Sequence, residues 1–254
     1  MEDIVPGLIE AVTDEFHRMY DGNSKIQRLL DKVKGGTATY AEAQEYAIEV
    51  SQIIGDAYRK HISSAVLPDG RMYSNIAHRL IPATLDENHE LVSGYAVNIQ
   101  QALNKKAGIG LKAQSAELNQ DRVDGLVDLA SNEELYDDVY DQLLTAFENF
   151  SQNVVDETIK RNADFHYRSG LSPKIIRRAE GKCCAWCRGL AGVHEYPDCD
   201  KEIYRRHENC RCTVLYDPSD GKKSVQNVHS RKWVDVDAVE KRKSFPGLDT
   251  SRRG

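Results

Sequence analysis

Residues 39–57 read TYAEAQEYAIEVSQIIGDA, and this stretch decides what kind of protein the chain makes. Thr39 and Glu42 stand three apart, the pattern of a capping box, in which hydroxyl and carboxylate each satisfy an exposed amide of a first helical turn. Behind them Tyr40, Ala43, Ala47, Val50, Ile54 and Ala57 fall on one face at helical spacing. The reading is an amphipathic helix with one buried side. Upstream, Ile4, Leu8, Val12, Phe16 and Met19 recur in the same way and stop at Gly22-Asn23. Pro68-Asp69-Gly70 predicts a turn.

Further along, Thr84-x-x-Glu87 reads as a second capping box, ahead of Leu91, Val92, Tyr95, Ile99 and Leu103, with a stop at Gly108. Ser131-x-x-Glu134 opens the longest stripe, formed by Leu135, Val139, Leu143, Phe147, Phe150 and Val154. Stripes of this kind are core packing. They predict a multi-helix body and carry no chemistry.

Six cysteines among 254 residues need a compartment. Met1-Glu2-Asp3-Ile4 lacks the basic start of a secretory signal, and no apolar run approaches a membrane span. The expectation is a chain made in a reducing cytoplasm, where clustered thiols favour a metal over disulfides. The net charge of -6 is uneven: residues 115–157 are acid-rich, and the balance turns basic beyond residue 160.

Near residue 170 the helical text ends. In Gly170-Leu171-Ser172-Pro173, Ser172 reads as an N-cap and Pro173 as a first helical position, predicting a short basic helix from Lys174 to Glu180. From Gly181 to Asp217 the chain is dense in Cys, Gly and charge. The expected fold is mainly α: a helical body over 1–170, a small α+β Cys/His module over 171–217, and an extended, partly disordered arm over 218–254.

Cys184-x-x-Cys187 and the run His207-Glu208-Asn209-Cys210-Arg211-Cys212 form the chemical feature. Two thiolates two residues apart can fold over one ion, and a second pair from another loop completes the tetrahedron that zinc prefers. The expected ligands are Cys184, Cys187, His207 and Cys210, with Cys212, Cys199 and Cys183 as alternates. Four protein ligands leave no open position, so one zinc ion per chain would be structural. A metal-free knuckle and disulfides remain open. A deaminase-like site spaces its Glu differently and adds Pro-Cys-x-x-Cys, which is missing here. An HNH-like nuclease is the sharper rival, with His207, Asn209 and His229 offering the letters.

These residues resemble the C-terminal signature of the phage head morphogenesis, or minor head, proteins, the family that includes the F protein of phage Mu and relatives in phages of Gram-positive bacteria. The resemblance rests on Cys184-x-x-Cys187, on His207-x-x-Cys210-Arg211-Cys212, and on the exit Asp217-Pro218-x-Asp220-Gly221. It extends through Gln226-Asn227-Val228-His229 and Lys232-Trp233, and upstream to 104–111 with Asp121-Arg122. Glu208 stands where this family usually has Pro, a departure that affects the turn more than the ligands.

The resemblance implies a non-enzymatic minor capsid protein that meets the portal protein and capsid. It implies action in head morphogenesis and in DNA packaging or ejection. Such a chain would reside in the host cytoplasm during assembly and then in the virion, with no membrane and no small-molecule substrate. The alternative is an intracellular zinc-containing nucleic-acid-binding protein or nuclease. Lys174, Arg177, Arg178, Arg188, Arg205, Arg206 and Arg211 are the candidate contacts to double-stranded DNA. Against that role, several of them can pair with acids such as Glu180, Glu195 and Glu202.

Overall fold

The computed structural model describes residues 3–132, 134–181, 183–207 and 210–218. The arm expected over 218–254 therefore lies outside the described residues, apart from Pro218. Six helices build the body: α1 (Val5–Gly22), α2 (Ser24–Lys34), α3 (Tyr40–His61), α4 (Ser74–Lys106), α5 (Gln120–Ala130) and α6 (Tyr136–Arg168). They are followed by β1 (Lys174–Arg178), the one-turn α7 (Ala185–Gly189), β2 (Gly192–Glu195) and β3 (Thr213–Asp217).

Residues 39–57 lie at the centre of the molecule. α3 packs on α1, α4 and α6, and also touches β3. Its capping box forms as read, with the Glu42 carboxylate accepting from the Thr39 amide at 2.8 Å. Tyr40, Ala43, Ala47, Val50, Ile54 and Ala57 are all buried. Aromatic pairs fix the crossings: Tyr58 meets Phe147 of α6 edge-on at 5.1 Å, and Tyr46 stacks on Tyr95 of α4 at 4.1 Å. Such pairs contribute about 0.5–1.5 kcal/mol each beyond the area they bury. Gly55 lets α3 and α6 approach closely, because a Cβ there would fall 2.2 Å from Leu144 Cδ1.

Three boundaries differ from the sequence reading. Thr84 starts no helix: α4 runs on from Ser74, and the Thr84 hydroxyl donates to the Leu80 carbonyl one turn back. Ser131 terminates α5 instead of opening α6, its amide donating to the Val127 carbonyl at 2.9 Å. α6 begins at Tyr136 behind Leu135, which has no capping side chain. Its cap comes from the loop after α3. The Asp137 amide donates to Ser64 Oγ at 3.2 Å, and the Ser64 amide donates to Asp137 Oδ1 at 3.0 Å. A cap supplied from a distant loop leaves no local motif.

The third correction is larger. Residues 174–178 form a strand, not the expected basic helix, and β1 is the middle of an antiparallel sheet ordered β2-β1-β3. Ile175 pairs with His194 on one side and Tyr216 on the other. Burial alternates along β1, with Ile175 and Arg177 inside and Arg178 exposed, the period of two that a strand imposes. Pro173 lacks an amide but its carbonyl accepts from Tyr196, so it sits at a strand start without losing a ladder bond. Ile175, Ile203, Val214 and Tyr216 join the same core as the helices.

Candidate metal centre

Two short loops approach each other against the outer end of this sheet. Cys184 is the N-cap of α7, and its Sγ accepts from the Cys187 amide at 3.4 Å. The helical turn then brings Cys187 back under Cys184. From the other side, His207 and Cys210 belong to a turn closed by the Cys210 amide on the His207 carbonyl at 3.2 Å. His207 Nε2 lies 3.4 Å from Cys184 Sγ and 3.1 Å from Cys187 Sγ, and Cys187 Sγ lies 3.8 Å from Cys210 Sγ.

These distances test whether an ion fits. A tetrahedral zinc with Zn–S near 2.3 Å and Zn–N near 2.0 Å places its sulfurs about 3.8 Å apart and sulfur to nitrogen about 3.5 Å apart. The Cys187–Cys210 separation meets the first value and the two sulfur–nitrogen distances lie within a few tenths of an ångström of the second, while Cys210 stands outside the group that Cys184, Cys187 and His207 form. Two overlapping groups satisfy the condition for holding an ion, Cys184-Cys187-His207 and Cys187-Cys210-Cys212, with Cys187 common to both. Cys187, Cys210 and Cys212 are buried. Cys183 packs at the edge of this cluster, while Cys199 packs instead against the main core. Cys199 is thereby removed from the ligand set.

The thiols are not electrostatically equal. The Cys187 amide aimed at its sulfur draws the Cys184 thiol below its ordinary pKa. Burial pushes the Cys187 thiol up to about 12. Burial thus favours the neutral thiol at Cys187; a bound cation deprotonates its ligands outright.

The loop carrying His207 is anchored to the body. Arg206 is buried and its guanidinium meets the fully buried Asp156 of α6 at 2.5 and 2.9 Å, while donating to the Cys212 carbonyl at 2.7 Å. Gln44 of α3 donates to the same carboxylate at 2.8 Å, and Gln152 of α6 donates to the Cys210 carbonyl at 3.3 Å. Asp156, Gln44 and Gln152 were invisible as site residues, since helical spacing presents them as ordinary positions on a face. Their inward placement follows only once α3 and α6 are paired.

The seven basic candidates are scattered by this geometry. Arg177 and Arg206 are buried, so neither can reach a phosphate, which corrects their expected role. Lys174 pairs across the strands with Glu195 at 2.9 Å, and Arg205 with Glu202 at 2.7 Å. Arg211 meets Glu148 of α6 at 2.7 Å. Arg178 and Arg188 are exposed and form no ion pair among the described residues. Of the nuclease letters, His207 is turned onto two sulfurs, and Asn209 and His229 lie outside the described residues. No helix among the described residues is long and apolar enough to cross a membrane.

Comparison with known proteins returned no curated relative and no solved structure. A family model described as VG15 protein matches residues 36–236, a span that takes in α3 through the Cys/His loops. α3 to α6 and the thiol centre thus lie inside one matched span, with α1 and α2 ahead of it, and the chain belongs to the VG15 protein family, a viral family.

Proposed function

We propose that this chain is a structural component of the phage head. In this reading it is a minor capsid protein, not an enzyme, that meets the portal protein and capsid and acts in head morphogenesis and in DNA packaging or delivery. It assembles in the host cytoplasm and ends in the virion. One structural zinc ion sits among Cys184, Cys187, His207 and Cys210.

The observation that carries this reading is the orientation of His207 in a chain of a viral family. Its Nε2 faces two sulfurs, so the imidazole serves a closed ligand set and does not activate water. An ion there cross-links two loops in a segment too small to hold itself by apolar burial. Zinc is favoured over other divalent ions by the mixed sulfur and nitrogen donors and the tetrahedral spacing. DNA contact, where it occurs, falls to Arg178 and Arg188 and weakens steeply with salt.

The test is the position of the protein in purified particles, by antibody labelling and by electron microscopy of the portal vertex. A few copies at that vertex are expected; absence from filled and empty heads overturns the reading. Magnesium-dependent cleavage of plasmid DNA, lost in His207→Ala, would replace it with the nuclease alternative.

A further inference from the structure

Arg177 is among the largest fully buried side chains of the molecule, at 1% exposure. A buried guanidinium needs both hydrogen-bond acceptors and a counter-charge. Its acceptors are plain: Nη1 donates to the carbonyls of Ile203 and Arg205, the latter at 2.9 Å. Nη2 points at two sulfurs, Cys187 Sγ at 3.7 Å and Cys210 Sγ at 3.9 Å. The Trp186 ring covers one face, 5.4 Å from Cζ. No carboxylate among the described residues forms an ion pair with it. The contrast with Arg206 is direct, since that second buried arginine has Asp156.

We infer that Arg177 is the charge-matching and positioning residue of the metal centre, and that it selects Cys187 and Cys210 as ligands while Cys212 stays outside the ligand set. The inference rests on the reading of the Cys/His cluster as a metal site. A divalent ion bound by three thiolates and one neutral imidazole carries one net negative charge, which a single guanidinium balances. A fourth thiolate in place of His207 would leave a second negative charge in a buried site whose other arginine is already committed.

The geometry agrees with the charge count. The Arg177 fork touches Cys187 and Cys210, whereas Cys212 lies close enough to both sulfurs to compete but is not an acceptor of the fork. The fork also spans the centre. From β1 it reaches the sulfur of α7, the sulfur of the second loop and two carbonyls of the connecting segment. A planar donor array does this, and a point charge does not. Outer residues that hydrogen-bond to ligands typically account for 10- to 100-fold in metal affinity.

The experiment uses the full-length chain, with zinc affinity read by competition against a chromophoric chelator and sulfur-to-metal charge transfer read on the cobalt(II) form. Arg177→Met is expected to bind zinc about 10- to 100-fold more weakly. Its cobalt charge-transfer band should move to lower energy, because the sulfurs lose the donors that stabilise their lone pairs. Arg177→Lys recovers part of the affinity by restoring charge without the fork. Cys212→Ser keeps one ion at nearly unchanged affinity, whereas Cys210→Ser loses it.

Arg177→Met binding as tightly as the parent with an unshifted band overturns the role of Arg177 and leaves the metal site standing. Loss of the ion in Cys212→Ser overturns the ligand selection. Failure of the parent chain to bind zinc or cobalt overturns both this inference and the metal reading beneath it. Should Arg177→Met not fold, the Arg177→Lys and Cys212→Ser arms still decide the matter.

Discussion

The helical body and the Cys/His module are held together by different kinds of contact. In the body, α3 is enclosed by apolar faces of α1, α4 and α6, and side chains such as Val50, Ile54, Val92 and Val155 are sealed from solvent. This attraction is non-directional and spread over many residues. In the module, β1 and β3 share their inner face with the body, but the loops carrying the sulfurs depend on a few directional contacts. Those are the Arg177 fork, the Arg206–Asp156 pair and the thiol–imidazole distances. A body built on spread contacts loses stability in small steps. A module built on a few contacts fails at once when one is removed.

Metal removal should separate the two regions most sharply. Stripping the ion with a chelator, or Cys187→Ser, is expected to abolish amide-exchange protection in the 183–212 loops while α3 and α6 keep theirs. Apparent zinc-binding energies of about 10–16 kcal/mol in small domains make this the largest effect. Equal loss of protection in α3 would show that the module and body form one cooperative unit. Asp156→Ala attacks the seam between them. It leaves Arg206 buried without its carboxylate, which costs about 3–5 kcal/mol, visible as a lower urea midpoint together with weaker zinc binding. An unchanged zinc affinity would mean that the His207 loop is positioned without the body.

The third test is pH. His166 of α6 is buried beside the Tyr216 hydroxyl of β3, and burial lowers its pKa from 6.5 to about 4. The unfolded chain therefore takes up this proton first, so the contribution of His166 is intact above pH 6.5 and declines as pH falls toward 4. The expected loss is about 3 kcal/mol across that window, read from urea midpoints and absent in His166→Phe. The smallest effect belongs to the body alone. Thr39→Ala removes the cap of α3 at about 1 kcal/mol, with zinc content unchanged.

The same division governs how much could be read in advance. The α3 stripe and its box were legible because a helix repeats its pattern over many residues and Thr39 and Glu42 carry their partner within the same turn. The sheet was misread because Lys174-Ile175-Ile176-Arg177-Arg178 is too short to separate a period of two from one of 3.6, and Ser172-Pro173 mimics a helix start. The strand is set by pairing with Val193 and Leu215, which the local text does not contain. The approach of Cys184, Cys187, His207 and Cys210 to one another was readable from spacing, since short loops constrain where thiols fall. Arg177 and Arg206 were placed among surface cations because composition reports charge and not direction; the alternation of β1 is what turns Arg177 inward.

Gly55 has a consequence for exchange. An alanine at that point would drive a methyl carbon into the Leu144 side chain, which must swing out of the crossing to admit it. Apolar residues along the α3 stripe can be exchanged so long as volume is kept, but at this crossing the empty position is the part that fits.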